Sequence, residues 1–385
     1  MSHQPILFSE VIQRIPRHEF QKCVNRHDGD NRVRKLDCWT QFLTLLFGQI
    51  TGHNSLRSMI AAINSQKSKL YQLGMTTLCR STLSEANEKR DPKILEEMFS
   101  LLLNRTQSCA PGHPFRFKGK VLAFDSTTIG ICLSLSPWAK FHHGKGAFKL
   151  HTALDLAGNL PVFVVLTPGK VHDIKVARKV QFPVGATVMM DRGYIDFSWL
   201  YELDKGGIFF VTRMKDNCRY KVRKCRSKKQ EQGIAADQDV RLTGSSSDKY
   251  PDRLRKISYR DPETKDHYVF LTNRFDLSAK TICNLYKSRW QVELFFKVLK
   301  GQLHVEKFVG TSVNAVLWQV WAAMIAYLLV SLIRFQHKLQ WPIPSIMAVL
   351  TVSLFQNIGI RRVFGLAPKE RCRNIGFRQL LLFDS

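Results

Sequence analysis

Val121-Leu122-Ala123-Phe124-Asp125-Ser126-Thr127-Thr128 places an aspartate directly after an unbroken apolar run. Such a run, bounded by polar residues, reads as a strand buried on both faces of a sheet. The arrangement recurs at Thr187-Val188-Met189-Met190-Asp191-Arg192-Gly193-Tyr194, where a second short apolar run ends on an acid. A carboxylate at the end of a buried strand is costly unless cations neutralise it. Either aspartate alone fits an ordinary strand-end turn, where Asp is frequent for structural reasons. Two of them in one chain ask for a partner.

That partner is Tyr286-x2-Arg289-x3-Glu293-x6-Lys300. Laid on one helix, Tyr286, Arg289, Glu293, Lys297 and Lys300 fall within roughly 80° of one another. One face then carries a carboxylate, three cations and a phenol. Leu285, Val292, Leu294, Phe296 and Leu299 cover much of the rest, so the helix is expected to pack into the core. A solvated salt-bridge helix would explain the i, i+4 charges but not the phenol. Asp125, Asp191 and Glu293 converging on one point can hold two divalent ions, the usual means of breaking a phosphodiester.

The charge balance says which phosphodiester. Lys and Arg number 58 against 31 Asp and Glu, a net charge of +27. The excess is spread along the chain, which favours nucleic acid over a membrane surface bound by one amphipathic helix. Of the nine cysteines, Cys218 and Cys225 lie closest in sequence, at a spacing no common zinc site uses. The first ten residues are polar, so no secretory signal is expected. Residues 315–333 are almost wholly apolar and long enough to cross a bilayer. Gln319 and Ser331 interrupt them, and Trp318, Trp321 and Tyr327 sit inside the run as well as near its edges. They are expected to form a buried core helix, and no membrane partner is expected.

Along the chain the pattern changes twice. Residues 1–115 read as helical, with apolar periodicity at 36–49, 54–64 and 92–103. Residues 79–90 form a polar, Ser/Thr-rich stretch that fits either a recognition helix or a solvated surface helix. Strands are expected at 121–124, 129–133, 148–156, 161–166, 187–190 and 207–212, with a crossover helix at 173–180 capped by Asp173. Residues 213–275 read as a β-rich insertion with a basic face, strongest at 213–229. Helices follow from 278. The fold class is therefore α/β, a mixed sheet flanked by helices, divided as 1–115, 116–340 and 341–385.

The three acidic strings resemble the signature of the insertion-sequence-four (IS-four) family of bacterial DDE transposases. An exact Tyr-x2-Arg-x3-Glu-x6-Lys arises by chance in roughly a few per thousand chains of this size. The resemblance implies an all-helical DNA-binding front, a ribonuclease H-like catalytic core and a β-strand insertion before Glu293. It implies that Asp125, Asp191 and Glu293 are catalytic metal ligands, with Mg2+ the physiological ion and Mn2+ a substitute. It implies that Tyr286, Arg289 and Lys300 grip DNA, with Lys297 expected beside them from its place on the same helical face, and that the protein pairs two terminal inverted repeats as a homodimer and cuts and rejoins them. A bacterial, cytoplasmic, nucleoid-associated enzyme acting on double-stranded DNA follows. A tryptophan that stacks on a flipped base in the family's insertion has no counterpart between Trp199 and Trp290. Tyr220, Tyr250, Tyr259 and Tyr268 are the residues available to replace it. His142 and His143, among lysines, read as a DNA-facing loop rather than a metal site. The alternatives are a related metal-dependent nuclease, or a DNA-binding regulator or decayed transposase without catalysis; the intact acids argue against the last.

Overall fold

The computed structural model describes residues 5–131, 146–227 and 233–366; His142 and His143 lie outside them. Seven helices come first: α1 (Leu7–Ile12), α2 (Arg17–Arg26), α3 (Cys38–Thr51), α4 (Leu56–Asn64), α5 (Lys67–Leu70), α6 (Arg80–Lys89) and α7 (Lys93–Gln107). Asp37 caps α3 by accepting from Thr40 N at 2.8 Å, and Gly52 ends it in the left-handed region at φ 74°. The sheet follows as β1 (Val121–Ile131), β2 (Gly146–Asp155), β3 (Leu160–Pro168), β4 (Thr187–Met190), β5 (Phe209–Arg213), β6 (Tyr220–Ser227), β7 (Ile234–Leu242), β8 (Leu254–Arg260) and β9 (His267–Thr272). Helices α8 (Asp173–Ala177) and α9 (Phe197–Lys205) interrupt it. Helices α10 (Ala279–Ser288), α11 (Trp290–Gly301), α12 (Val313–Gln336), α13 (Ile343–Ser353) and α14 (Ile360–Val363) complete the described chain.

All nine strands form one mixed sheet in the order β3-β2-β1-β4-β5-β9-β8-β7-β6. β1, β2 and β3 are antiparallel neighbours, and β4 and β5 run parallel to β1. The β2–β3 turn is tight because Gly158 (φ 80°) and Asn159 (φ 57°) both take left-handed backbone. The expected β-rich insertion is not a separate body. Its strands β6–β9 extend the central sheet through β5 and β9. Residues 221–226 of β6 are exposed along the sheet edge. Lys221, Arg223 and Lys224 there discourage strand addition, whatever else they bind.

The apolar stretch at 315–333 lies inside α12, whose most apolar window is 94% buried within the protein. Gln319, one of its polar interruptions, is satisfied internally: it accepts from Val309 N at 3.0 Å and donates to Lys307 O at 2.8 Å. Helices from both chain ends close on it. Trp318 donates its indole N–H to Arg90 O at 3.0 Å, and Thr351 on α13 donates to Ile50 O at 2.8 Å. One apolar cluster runs from Ile6 to Phe364 through α12. Tyr327 donates to Asn159 O at 2.9 Å, tying this helical mass to the β2–β3 turn.

Several local expectations are corrected. The strands expected at 121–124 and 129–133 are one strand, so Asp125 lies within β1 rather than at its end. Helix α8 stops at Ala177, and its N-cap is His172, not Asp173. The single helix across Tyr286–Lys300 is broken at Arg289, where Arg289 N and Val292 N bond three residues back instead of four. Ser288 turns its hydroxyl onto Leu285 O at 2.6 Å, a local bond that competes with regular helix. Leu294, expected in the core, is 41% exposed, whereas Leu285, Val292, Phe296 and Leu299 are buried.

Candidate active site

Register brings the two aspartates together. Phe124 on β1 pairs with Met190 on β4 as the last rung of their parallel ladder. Asp125 and Asp191 are the next residues on each strand, about 5 Å apart by strand spacing. Only the antiparallel partner β2 continues beside Asp125. Asp191 turns into a 3-10 turn at Arg192–Tyr194, and Tyr194 packs its ring on Phe124 at 5.1 Å. The two acidic strings are thus locked by the residues beside their acids.

Helix α11 brings Glu293, and Arg289 joins the acids. Arg289 Nη1 donates to Asp125 Oδ2 at 2.8 Å, and Nη2 donates to Glu293 Oε1 at 2.6 Å. Asp125 Oδ1 accepts from Ser126 N at 2.8 Å. Burial pushes the Asp125 carboxyl up to about 6, with Arg289 opposing and the charges of Asp191 and Glu293 adding to the rise. Among the described residues no three His, Cys, Asp or Glu side chains stand as a ready metal cluster. A guanidinium joins two of the acids instead. The donor set nonetheless suits a hard divalent ion, because all three groups offer carboxylate oxygen and two already share one cation.

Lys300 and Lys297 flank an open cleft of about 580 Å³ lined also by Asp125, Ser126, Thr127 and Glu293. Lys300 Nζ donates to Thr128 O at 2.8 Å and pairs with Glu306 at 3.3 Å, which ties the end of α11 to β1. Lys297 is exposed. Tyr286 is on α10, across the helix break, and faces away from this cleft. It lines a second groove of about 390 Å³ with Arg213, Tyr259, Tyr268, Phe270 and Trp290. The structure therefore brings Asp125, Asp191, Glu293 and Arg289 together, keeps Lys297 and Lys300 at the rim, and puts Tyr286 behind Arg289.

Sequence reasoning missed three features. Trp290, 58% exposed, lines the aromatic groove. It stands beside Arg289 in the motif itself, and that adjacency was the available signal. Tyr250 is wholly buried and donates to Asp204 at 2.6 Å, so it offers no stacking face. Asp173, read as a cap, accepts from Ser126 Oγ at 2.9 Å and Lys149 Nζ at 3.1 Å on the sheet face opposite Glu293. Nothing local in the sequence announces that network, which needs three elements to meet.

The raised Asp125 carboxyl gives a pH signature. A folded pKa above the ordinary carboxylate value means this group favours folding below about pH 4, and that contribution is lost as pH rises through 6. Asp125→Asn is expected to stabilise the metal-free protein by about 1–3 kcal/mol above pH 7, and hardly at all near pH 4. Urea melts of both proteins at the two pH values check it; a variant no more stable than wild type above pH 7 contradicts it.

Comparison with known proteins gives the family. The family model described as the transposase DDE domain matches residues 116–329. The chain belongs to the DDE transposase family. A putative transposase from Sinorhizobium fredii, y4zB, is 31% identical over 73% of this chain and 79% of its own. The probable transposase for insertion sequence element IS5377 of Geobacillus stearothermophilus is 30% identical over 69% of this chain and 70% of its own. The putative transposase for insertion sequence element IS4SA of Synechocystis is 26% identical over 76% and 81%. A second model, described as a domain of unknown function, matches residues 3–76. Among solved structures, a piggyBac transposase synaptic complex with hairpin DNA aligns at TM-score 0.43 and 11% identity, over 90% of this chain and 77% of that one.

Proposed function

We propose that this DDE transposase cuts its element's terminal inverted repeats from flanking DNA and joins them to a target, at one site built from Asp125, Asp191 and Glu293. The observation that carries the reading is the meeting of Asp125 Oδ2 and Glu293 Oε1 on one cation, with Asp191 beside Asp125 in register. The order β3-β2-β1-β4-β5, antiparallel for three strands and then parallel, supports a ribonuclease H-like core. Asp125, Asp191 and Glu293 would hold Mg2+, with Mn2+ a substitute; a divalent ion held there would supply the charge that activates a water or a 3′-hydroxyl and that steadies a leaving oxygen. No protein nucleophile is then required.

The rest of the chain positions DNA. Lys297 and Lys300 present cations along the rim of the acidic cleft, where a phosphate backbone would run. Tyr268 is stacked on Phe270 at 6.0 Å under Arg213, and with Trp290 it offers a platform for an unpaired base. The helices of residues 1–115 would read the repeats, with the exposed face of α6 as the recognition surface. Two copies would pair two ends as a homodimer. Residues in such roles act in the bacterial cytoplasm, where the DNA is.

The test is incubation with Mg2+ and duplexes from the element's own ends. A transposase nicks at the terminus and joins the freed end to a second duplex. A related nuclease nicks without joining, and a regulator only binds. Affinity should fall steeply with salt, by about 10³-fold or more between 50 and 200 mM for six or more phosphate contacts. Filter binding across that range checks it, and a flat response would contradict a phosphate-gripping cleft.

A further inference from the structure

Arg289 stands between two cavities with different chemistry. On one side its guanidinium bonds Asp125 and Glu293. On the other it lines the aromatic groove with Arg213, Tyr286 and Lys287. Its Cζ lies 5.7 Å from the centre of the Tyr286 ring. Arg289 Nε and Tyr286 Oη are both buried, and neither has a hydrogen-bond partner. Unbonded buried polar atoms are uncommon and call for an explanation. The backbone at Arg289 is also the helix break, where bonds to the third residue back replace the regular ladder. Tight turns inside a helix often mark a hinge.

We propose that Arg289 is a displaceable counter-ion: it closes the acid cluster while no metal is bound and passes to a DNA phosphate in the neighbouring groove when a divalent ion enters, so that metal and DNA bind with positive coupling. The inference rests on the reading of Asp125, Asp191 and Glu293 as metal ligands. The guanidinium fills the space between Asp125 Oδ2 and Glu293 Oε1, so an ion held by these carboxylates would need that space. Arg289 must therefore leave. Leaving alone is unfavourable, because it strands two carboxylates and a cation in a mostly buried place. Both charges are satisfied only when the acids gain a metal and the guanidinium gains an anion together. The groove is built for that anion. Arg213 and Lys287 already line it, the Tyr286 hydroxyl has a free hydrogen-bonding capacity, and the opposing Asp261 carboxylate is engaged by Glu263 N at 2.9 Å. A guanidinium binds phosphate through paired N–H groups as readily as carboxylate. By linkage, the factor by which DNA tightens metal binding equals the factor by which metal tightens DNA binding.

The experiment titrates Mn2+ into the full-length protein, with and without a saturating duplex from the element's end, and reads free Mn2+ by electron paramagnetic resonance. Wild type should bind Mn2+ roughly 5- to 150-fold more tightly with DNA. Arg289→Met, which removes the charge and keeps the apolar stem, should bind Mn2+ more tightly than wild type without DNA, and DNA should tighten its Mn2+ binding by a clearly smaller factor than in wild type. Arg289→Lys should keep part of the competition. Wild-type affinity unchanged by DNA overturns the proposal. So does an Arg289→Met protein with wild-type circular dichroism that binds Mn2+ no better than wild type. Should Arg289→Met fail to fold, Arg289→Gln takes its place, and a folded variant that binds Mn2+ no better than wild type without DNA overturns the proposal. A wild type that takes up no Mn2+ under either condition, like Asp125→Asn, would instead overturn the metal reading on which this one stands.

Discussion

Glu293→Gln is expected to lose strand cleavage by about 10³-fold or more, while its DNA affinity measured without divalent ion stays within a few-fold of wild type. The change is nearly isosteric and keeps an oxygen that can accept from Arg289, so the link to Arg289 survives. What it removes is one negative charge from the group proposed to hold the catalytic ions. Charge stabilisation by a bound metal is worth several kcal/mol of transition-state energy, and each 1.4 kcal/mol is about tenfold in rate. Asp125→Asn and Asp191→Asn should fail as badly. The double variants should be little worse than the singles, because groups acting as one unit are not additive. Single-turnover nicking with Mg2+, paired with filter binding, checks this. A Glu293→Gln protein that cuts at wild-type rate would place the chemistry elsewhere.

Trp318→Ala is expected to carry the largest stability cost, about 3–5 kcal/mol. The side chain is fully buried in α12. Its indole N–H caps the carbonyl of Arg90, just after α6, at 3.0 Å. Removing it opens a cavity where the amino-terminal helices meet α12 and strands that carbonyl without its donor. Trp290→Ala, whose side chain is 58% exposed, should change stability by less than about 0.5 kcal/mol and act only on DNA binding. Urea unfolding of the two variants checks the contrast. Equal losses would mean that α12 is not the hub of the core.

The same contrast explains what could be read from the chain. β4 was legible to the residue, because a short apolar run ending on an acid between turn signals leaves few alternatives. Helix α12 was legible because Gln319 and internal aromatics argue for burial in protein. The pairing of Asp125 with Asp191 was expected, but its register was not, since register is a property of two strands. β6 was hidden: Lys221, Arg223 and Lys224 mask the period of an edge strand with both faces exposed. The break at Arg289 was missed because helical periodicity continues on both sides, and what marks it are the shortened backbone bonds of Arg289 N and Val292 N and the Ser288 hydroxyl bond. The sequence placed Arg289 among DNA-gripping residues; its pairing with the acids depends on a fold that carries α11 across β1. Asp173 looked like a cap because it opens an apolar helix, while its partners Ser126 and Lys149 come from β1 and β2.

The central claim is that three acids far apart in sequence share one metal site. Iron-directed self-cleavage measures that in a single gel. Fe2+ replaces Mg2+ in the full-length protein, ascorbate and peroxide generate hydroxyl radical at the bound ion, and the backbone is cut wherever it lies beside the metal. The account predicts cuts near Asp125, Asp191 and Glu293 together, suppressed by excess Mg2+ and lost in Asp125→Asn. Cuts at one of these positions alone, or at none, would contradict it.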